Sequence, residues 1–546
     1  MTRQALARGW VVVFAVVAIV MAVGAAVLRP PPAQALENGV ARTPPMGWNT
    51  WNTFGCNINE TLIKQTADAL VSNGMRDLGY QYVVVDDCWF DPNRDSSGNL
   101  QANASRFPSG MRALGDYLHA RGLKFGIYQV PGARTCAQSV GTYPGSTGSR
   151  GHEVQDANQF AAWGVDFLKY DWCDGSGTIN DQVATFAKMR DALRATGRPI
   201  VFSINSNSFH CCTGPQRNWG DVANMWRTTE DITNRWDTGN TNGYPMGVKN
   251  IIDITVPLAG YAGPGGFTDP DMMVVGRGGM TDTEMRTHFA MWAVMASPLI
   301  AGNDVRSMDS ATSTILKNSR LIAINQDTLG RQGAQVANDG GRRVLAKPLA
   351  GGDVAVALYN PGSSAATMTT SAAAIGKSGS SFTLTDAWTG AVTTTSGAIS
   401  ASVPAHGTVV YRVSGGGTAT PSSGALVSSS SGRCLDVPQS NTANGTQPVI
   451  WDCGTAANQR WTVSGQTLQA LGKCLDAPLN AGAGAKAQIW DCNGGANQQW
   501  TFQADGAIRN NQSGLCLDVD RNLTANGTLV LLWTCNGAAN QKWTRR

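Results

Sequence analysis

Charged side chains follow a short apolar segment near residue 170 of the 546-residue chain. Residues 165–174 read VDFLKYDWCD, in which Lys169, Asp171 and Cys173 alternate with aromatic residues. If this segment ends a β-strand, the three side chains share one face, because successive side chains point to opposite sides. The Lys169 cation would favour the ionised form of Asp171. A polar strand end, with Asp171 accepting loop N–H groups, is the structural alternative.

Similar apolar segments recur between residues 42 and 328, separated by helix-like stretches such as QTADALVSNGM and NQFAAWG. Eight strands with intervening helices over this length predict a (β/α)8 barrel. A doubly wound sheet is the alternative, but no glycine-rich phosphate loop follows the first candidate strand. The candidate strands are residues 46–51, 82–87, 125–130, 165–171, 200–205, 225–231, 267–275 and 299–304.

Carboxylates and tryptophans gather where these candidate strands end, which is where barrels of this kind place their active sites. Aromatic faces cover the C–H patches of a sugar, and carboxylates bind its hydroxyls through charged hydrogen bonds. Two carboxylates can also cleave a glycosidic bond. The set therefore predicts a carbohydrate pocket. It comprises Asp86, Asp87, Asp171, Asp231, Asp269 and Asp271, with Trp48, Trp51, Trp89, Trp172 and Trp226 nearby.

Composition excludes several other classes of function. No C-x-x-C or Cys/His cluster has zinc spacing, so we expect no metal and no cofactor. Residues 1–35 contain three arginines and no acidic residue, and the rest of the 546-residue chain has a formal charge of +1. A surface so near neutrality, with no basic run, argues against a nucleic-acid partner.

The N-terminus is typical of an export signal. A basic start and an apolar run precede AQA at residues 33–35, so residues 1–35 are predicted to be a signal peptide cleaved after Ala35. The apolar run is long, and an uncleaved membrane anchor is the alternative. The 12 cysteines behind such a signal indicate disulfides and a secreted, extracellular protein. After cleavage we expect no stable membrane association.

The last third of the chain repeats. GRCLDVPQS, GKCLDAPLN and GLCLDVDRN begin three segments that each end in Q-x-W, and their first cysteines lie 40 and 42 residues apart. This period predicts three units of short strands, hence a threefold all-β barrel over residues 425–546. Residues 414–424 are a predicted Gly/Ser/Thr linker. Residues 329–413 alternate apolar and polar, which predicts an antiparallel β domain, and residues 36–328 are the barrel.

The residues at the strand ends resemble glycoside hydrolase family 27, the α-galactosidase family. The similar segments are RTPPMGWNTWNTFGCNINE, VVVDDCW, GLKFGIY, GVDFLKYDWC, WRTTEDI, GPGGFTDPDMMVVG and SPLIAGNDVR, between about residues 42 and 413. The resemblance implies a (β/α)8 barrel followed by an antiparallel β-sandwich domain. The C-terminal repeats resemble a ricin-type β-trefoil of carbohydrate-binding family 13.

The resemblance also implies roles for individual residues. Asp171 matches the nucleophile and Asp231 the general acid/base of a retaining enzyme, whose carboxyl groups lie roughly 5–5.5 Å apart. The implied sugar-binding residues are Trp51, Asp86, Asp87, Tyr128, Lys169, Arg227 and Asp271. In galactosidases of the family the two aspartates of DDCW hold the 4- and 6-hydroxyls.

One segment departs from the family pattern. Where the family carries C-E-W or C-x-W beside the sugar 2-position, this chain reads SINSNSFHCC. Asn205 stands in the middle of this segment and is the candidate contact for a 2-hydroxyl. The leading hypothesis is a secreted retaining α-galactosidase acting on oligo- or polysaccharides. The alternatives are a β-L-arabinopyranosidase, an α-N-acetylgalactosaminidase, an isomalto-dextranase, or a non-catalytic sugar-binding protein.

The resemblance implies disulfides Cys56–Cys88 and Cys136–Cys173 in the barrel, and Cys434–Cys453, Cys474–Cys492 and Cys516–Cys535 in the trefoil. Cys211 and Cys212 are left, either as a vicinal pair or bonded to a more distant cysteine. Each trefoil repeat offers an Asp, a Trp and an Asn for a shallow polysaccharide site: Asp436, Trp451 and Asn458; Asp476, Trp490 and Asn497; Asp518, Trp533 and Asn540. The third repeat has Thr534 where the others have Asp452 and Asp491. Trp461, Trp500 and Trp543 are predicted core residues.

Overall fold

A computed structural model describes residues 36–173, 177–208, 212–418, 423–464, 466–493, 495–503 and 505–546. The predicted signal peptide, residues 1–35, lies outside these residues, as does Cys211. No helix in the described part of the chain has the length and apolar character needed to span a membrane.

Eight parallel strands form the first domain, and each lies beside the next one along the chain. Nearly every strand residue is buried, as expected of strands covered by side chains inside the barrel and by helices outside it. All eight lie where the sequence predicts them, seven with shorter bounds and the third displaced by one residue toward the N-terminus. They are β1 Met46–Asn49, β2 Tyr82–Val85, β3 Lys124–Gln129, β4 Phe167–Tyr170, β5 Val201–Ile204, β6 Met225–Arg227, β7 Phe267–Asp269 and β8 Leu299–Ala301.

The barrel closes at two places. β8 pairs with β1 along its whole length. β7 ends at Asp269, and Asp271 has a positive φ of 80° that turns the chain before pairing resumes. Met273 then bonds to β8, donating to the Ile300 carbonyl at 2.8 Å and accepting from Gly302 at 2.9 Å. The seam therefore has a gap in its hydrogen-bond ladder at Asp271.

Within the described residues ten α-helices accompany the strands, and side-chain caps fix where several of them begin. The side chain of Asn59 accepts from the Leu62 N–H, and Thr281 and Glu284 form a capping box. Between β5 and β6 the described residues form one 3-10 turn, Gly214–Gln216. The helices are α1 Trp51–Phe54, α2 Glu60–Ser72, α3 Gly110–His119, α4 Cys136–Ser139, α5 Glu153–Ala162, α6 Ile179–Ala195, α7 Val248–Thr255, α8 Asp282–Val294, α9 Ser310–Leu316 and α10 Ser319–Asn325.

An antiparallel β domain packs on the barrel at α8. The Thr287 hydroxyl donates to the His406 carbonyl at 2.7 Å, and the His406 ring bonds to Glu284 at 2.7 Å and stacks on Trp236. The larger sheet has the order β15-β14-β17-β11-β10-β9, and β12 pairs with β16. The strands are β9 Ala334–Asp339, β10 Arg342–Pro348, β11 Val354–Asn360, β12 Ala366–Ser371, β13 Lys377–Ser378, β14 Phe382–Asp386, β15 Val392–Thr395, β16 Ala398–Val403 and β17 Gly407–Ser414.

Short antiparallel strands build the C-terminal domain around its own core, which contains the predicted core residues Trp461, Trp500 and Trp543. Their indole N–H groups donate to Leu435, Leu475 and Leu517, each in the same repeat. The strands are β18 Gly417–Thr418, β19 Ser423–Gly424, β20 Leu426–Ser428, β21 Cys434–Asp436, β22 Val449–Trp451, β23 Trp461–Ser464, β24 Thr467–Ala470, β25 Lys473–Asp476, β26 Gln488–Trp490, β27 Trp500–Phe502, β28 Ile508–Asn510, β29 Cys516–Val519, β30 Thr528–Trp533 and β31 Trp543–Arg545.

The predicted fold class is confirmed: a barrel, then an antiparallel β domain, then a trefoil. The described ends of the segment predicted to be a linker are paired strands. β18 pairs with β13, and β19 pairs with β23.

Candidate active site

The carboxyl ends of the barrel strands surround a pocket. The empty space in it, counted together with the open solvent at its mouth, is about 400 Å³. Lys169, Asn205, Arg227 and Asp271 line it, as sequence reasoning predicts for a binding site. Asn49 and Asp269 line it as well.

Lys169 bonds to Asp86 across the pocket floor. Its Nζ donates to Asp86 Oδ2 at 2.8 Å, and Asn49 Nδ2 donates to the same oxygen at 2.7 Å. Burial alone would lower the pKa of Lys169, but the Asp86 and Asp171 carboxylates outweigh it and raise that pKa above its ordinary value. The lysine is therefore a cation whose hydrogen bond goes to Asp86, two strands away.

Three donors surround the Asp171 carboxylate just beyond β4. Oδ1 accepts from the Trp172 N–H at 2.9 Å and from Asn205 Nδ2 at 2.7 Å. Oδ2 accepts from the Tyr128 hydroxyl at 3.2 Å. Oδ2 has the longer and single bond, so it keeps more free lone-pair capacity than Oδ1.

Arg227 joins two carboxylates at the opposite side of the pocket. Its Nη2 lies 3.0 Å from Asp231 Oδ1 and 3.0 Å from Asp271 Oδ2. The two acids differ in exposure, since 52% of the Asp231 side chain is accessible and only 5% of the Asp271 side chain is. β6 ends at Arg227, so Asp231 lies on the following loop and not on the strand predicted for residues 225–231.

Two further acids are buried beside these groups. Burial raises the pKa of Asp87 to about 6, although Asp87 accepts from the Ala137 and Cys88 N–H groups. Burial also raises the pKa of Asp269 to about 6, with Arg227 opposing that effect. Asp269 accepts from the Asp271 N–H at 2.9 Å and so supports the turn there. Sequence reasoning had placed Asp269 at a strand end without assigning it a role.

Most of the tryptophans expected at the pocket are core residues. Trp48, Trp89 and Trp226 are fully buried and none of them lines the pocket, so their prediction as sugar platforms is wrong. Trp48 and Trp226 stand next to Asn49 and Arg227, which face the pocket, and alternation therefore turns them outward. Trp172 packs on Phe186. Trp51 opens α1 and is half-buried.

Two disulfides tie the loops around the pocket. Cys56 is bonded to Cys88, and Cys136 to Cys173, two residues after Asp171. The sulfur atoms of Cys136 and Cys173 lie near the Asp171 carboxylate, but as a disulfide they offer no thiolate ligands for a metal. The proposed Cys211–Cys212 bond lies outside the described residues.

Asn205 faces the nucleophile candidate. Its Nδ2 donates to Asp171 and, at 2.8 Å, to the hydroxyl of Ser208, while its Oδ1 accepts from the Asn207 and Ser208 N–H groups at 3.2 Å. The Asn205 side chain therefore has a second task besides the sugar contact that the sequence suggested.

The trefoil residues form three similar surface sites. In each repeat the strand register puts the Asp and the Trp on one face, as with Asp436 opposite Val449 and Cys434 opposite Trp451. The aspartates are buried, whereas the tryptophans are 40–47% exposed. An Asn and a Gln amide donate to each aspartate, at 2.7–2.9 Å. The second repeat adds Gln488, which donates to Asp476 and which sequence reasoning missed.

Disulfides Cys434–Cys453, Cys474–Cys492 and Cys516–Cys535 close the three trefoil repeats. Each bond joins the cysteine two residues before the buried aspartate to the cysteine two residues after the exposed tryptophan. It therefore joins the two strands that carry the surface site.

Comparisons with known proteins follow the same three-part division. Residues 43–327 match the family described as Alpha galactosidase A, residues 339–413 its C-terminal beta sandwich domain, and residues 422–543 the ricin-type beta-trefoil lectin domain. An alpha-galactosidase of Cyamopsis tetragonoloba is 45% identical over 378 residues, covering 69% of this chain and 87% of that protein. An alpha-N-acetylgalactosaminidase of Gallus gallus is 41% identical over 332 residues, covering 58% and 78%.

Among solved structures, alpha-galactosidase I of Mortierella vinacea superimposes with a TM-score of 0.66 and is 36% identical. It covers 70% of this chain and the whole of that one. The resemblance therefore extends over the barrel and the sandwich together.

Proposed function

Because this chain belongs to the alpha galactosidase A family of glycoside hydrolases, we propose that it releases terminal α-D-galactose from oligo- or polysaccharides with retention of configuration. One observation carries the proposal. Asp171 and Asp231 come from different strand ends, and each is bonded to a residue that lines the same pocket, Asn205 and Arg227.

Asp171 is the proposed nucleophile. Its Oδ2 attacks the anomeric carbon as the bond from that carbon to the leaving oxygen breaks, giving a covalent glycosyl-enzyme ester. The donors from Trp172 and Asn205 occupy Oδ1, which orients the carboxylate and leaves Oδ2 for attack. Lys169 and Arg227 supply positive charge around the pocket.

Asp231 is the proposed acid/base. As a carboxylic acid it gives its proton to the leaving oxygen, and as a carboxylate it then takes a proton from water. The water oxygen bonds to the anomeric carbon as the ester to Asp171 breaks. Arg227 contacts Oδ1, so the proton is carried on Oδ2. The exposure of Asp231 suits a group that must meet both the leaving sugar and water.

The other predicted site residues, both those that line the pocket and those that lie next to its lining, are proposed to hold the galactosyl ring. Asp86 and Asp87 would accept from the 4- and 6-hydroxyls, and Lys169, Arg227 and Asp271 would bind further hydroxyls through charged hydrogen bonds. Tyr128 and Trp51 would complete the wall. Asn205 would contact the substituent at C2.

The trefoil is proposed to bind the polysaccharide that carries the galactosyl units. Three weak sites on one domain raise avidity for a polymer. The proposed extracellular location rests on the five disulfides within the described residues, because such bonds persist in oxidising compartments.

A panel of p-nitrophenyl glycosides tests the proposal. We expect turnover of the α-galactoside, and Asp171→Asn should abolish it while leaving the circular dichroism spectrum and polysaccharide binding unchanged. Turnover of another glycoside without any of the α-galactoside would contradict the substrate, and an active Asp171→Asn enzyme would contradict the nucleophile.

A second candidate is α-N-acetylgalactosaminidase activity. It is favoured by Asn205 and Ser208, both small polar residues where the sugar C2 substituent is expected. The same panel separates the two, since the second candidate requires the N-acetylgalactosaminide to be the better substrate.

A further inference from the structure

In two of the three trefoil repeats, the residue after the exposed tryptophan is bonded to a different repeat. Asp452 follows Trp451 in the first repeat. Its backbone N–H donates to Asn526 Oδ1 of the third repeat at 2.8 Å, and Asn526 Nδ2 donates back to Asp452 Oδ2 at 2.7 Å. Arg433 Nε also lies 2.6 Å from Asn526 Oδ1 and 3.1 Å from Asp452 Oδ1. We name this basic–Asp–Asn set a latch.

A second latch joins the second repeat to the first. The Asp491 N–H donates to Asn444 Oδ1 at 3.0 Å, and Asn444 Nδ2 donates to Asp491 Oδ2 at 2.8 Å. Lys473 takes the place of Arg433 and bonds to both residues. Asp491 directly follows Trp490, as Asp452 follows Trp451.

The third junction, between the third and second repeats, lacks all three latch residues. Leu515, Thr534 and Ala483 stand where the other junctions have the basic residue, the aspartate and the asparagine. The third junction keeps its backbone hydrogen bond, in which the Gly484 N–H donates to the Leu532 carbonyl at 2.7 Å. The corresponding bonds at the other two junctions run from Gly445 to Ile489 and from Gly527 to Ile450. The third junction therefore differs from the others in its latch side chains and not in its backbone pairing.

Each latch acts next to a tryptophan ring. A glycine lies against the ring at all three junctions, since a Cβ on Gly527 would be 3.7 Å from Trp451, one on Gly445 3.7 Å from Trp490 and one on Gly484 3.3 Å from Trp533. The two latched junctions differ in the asparagine before that glycine, which holds the backbone after the tryptophan. A platform fixed in this way loses less freedom when a sugar stacks on it.

We propose that the latches position Trp451 and Trp490 for a sugar ring, so that the first two repeats bind carbohydrate more tightly than the third. Asn444 and Asn526 are the positioning residues. The inference rests on the proposed function of the trefoil as a carbohydrate-binding domain. It gives Asp452 and Asp491 a role in holding neighbouring repeats together.

Full-length variants that each retain one exposed tryptophan test the proposal. Trp451→Ala with Trp533→Ala leaves the second site, and Trp451→Ala with Trp490→Ala leaves the third. Affinity electrophoresis in galactomannan, arabinogalactan and xylan measures binding. We expect the second-site variant to bind about three- to tenfold more tightly than the third-site variant, the effect of roughly one net hydrogen bond.

Two further changes address the latch itself. Asn444→Ala should weaken the second-site variant by a similar factor. Leu515→Lys with Thr534→Asp and Ala483→Asn should strengthen the third-site variant, a gain that a merely structural role would not produce. Asp505→Ala, which removes an exposed trefoil aspartate bonded within its own turn, is the matched control and should leave both affinities unchanged.

The outcomes separate the inference from the function on which it rests. A wild-type chain that binds none of the three polysaccharides contradicts the trefoil function and the latch with it. A wild-type chain that binds, with equal affinities for the second-site and third-site variants and no gain from the installed residues, overturns the latch alone.

Discussion

The side-chain amide of Asn205 lies 2.7 Å from Oδ1 of Asp171, so an uncharged donor from the end of β5 touches the proposed nucleophile. A carboxylate at this position would face Asp171 as a like charge, and one of the two pKa values would rise. The amide instead donates to Oδ1 and so fixes which oxygen is left for attack. This contact links the residue proposed to border the sugar C2 position to the proposed nucleophile.

Asn205→Asp should therefore lower kcat/KM on p-nitrophenyl α-galactoside by about tenfold or more. The variant loses the amide donor that orients Asp171 and places a like charge beside it. Initial rates with the p-nitrophenyl substrate measure the loss. Ser208→Ala, which removes a hydroxyl that accepts from the same amide, should keep most of the activity. A fully active Asn205→Asp enzyme would mean that the amide does not position Asp171.

Asp231→Asn should lose most of its activity only on substrates with poor leaving groups. Removing a general acid costs about 10²–10⁴-fold when the leaving oxygen needs a proton, whereas a p-nitrophenolate leaves without one. Comparing kcat/KM on melibiose and on the p-nitrophenyl substrate checks this difference. Equal losses on both substrates would remove Asp231 from the acid role.

Asp269→Asn should flatten the dependence of stability on pH. The folded pKa of Asp269 is raised to about 6 from 3.8, so between these values the folded state binds more protons than the unfolded state. The free energy of unfolding therefore falls as pH rises through this window, by at most about 3 kcal/mol for this group. Asparagine has no such titration and can still accept from the Asp271 N–H.

Urea midpoints at pH 4.5 and pH 7 measure the effect. The change in unfolding free energy from pH 4.5 to pH 7 should be more positive in Asp269→Asn than in the wild type, because the variant lacks the loss that Asp269 contributes. Asp87 keeps part of the slope, because its pKa is also raised to about 6. Asp77→Asn, at an exposed ion pair with Arg76, is the control and should follow the wild type. Identical slopes in Asp269→Asn and the wild type would contradict the prediction.

Alanine substitution of two tryptophans in the first trefoil repeat should have different effects, one on stability and the other on polysaccharide binding. Trp461 is fully buried and donates to the Leu435 carbonyl, so its loss should lower the unfolding free energy by about 3–5 kcal/mol. Trp451 is 47% exposed, and its loss should change stability by about 0.5 kcal/mol or less while weakening polysaccharide binding. Thermal unfolding and affinity electrophoresis measure the two effects. A stable Trp461→Ala variant would contradict the core assignment.

Much of the barrel could be predicted because its signal is local. Each buried strand is a short apolar run, and alternation shows that Lys169 and Asn49 face the pocket. Strand ends were less predictable, as at Arg227, where the strand stops and Asp231 continues on a loop. Arg227 nevertheless reaches Asp231 from the strand end, with Nη2 donating to Oδ1 at 3.0 Å.

The choice of partners could not be predicted from spacing. Lys169 stands two residues from Asp171 in the chain, yet its hydrogen bond goes to Asp86. That choice depends on how the strands lie side by side around the barrel, which no short segment encodes. The trefoil aspartates show the same limit. Their sequence does not indicate whether the carboxylate is exposed or, as here, buried between Asn and Gln amides.

The gap in the barrel ladder at Asp271 restricts what can replace that residue. A positive φ is tolerated by Asn, Asp and Gly far better than by branched or bulky side chains. The Arg227 cation adds a demand for negative charge at the same point. Glu would supply the negative charge but would not tolerate the positive φ. Gly would tolerate the positive φ but would supply no charge. Directed-evolution libraries that vary the pocket should therefore recover Asp at this position, with Asn the nearest tolerated substitute.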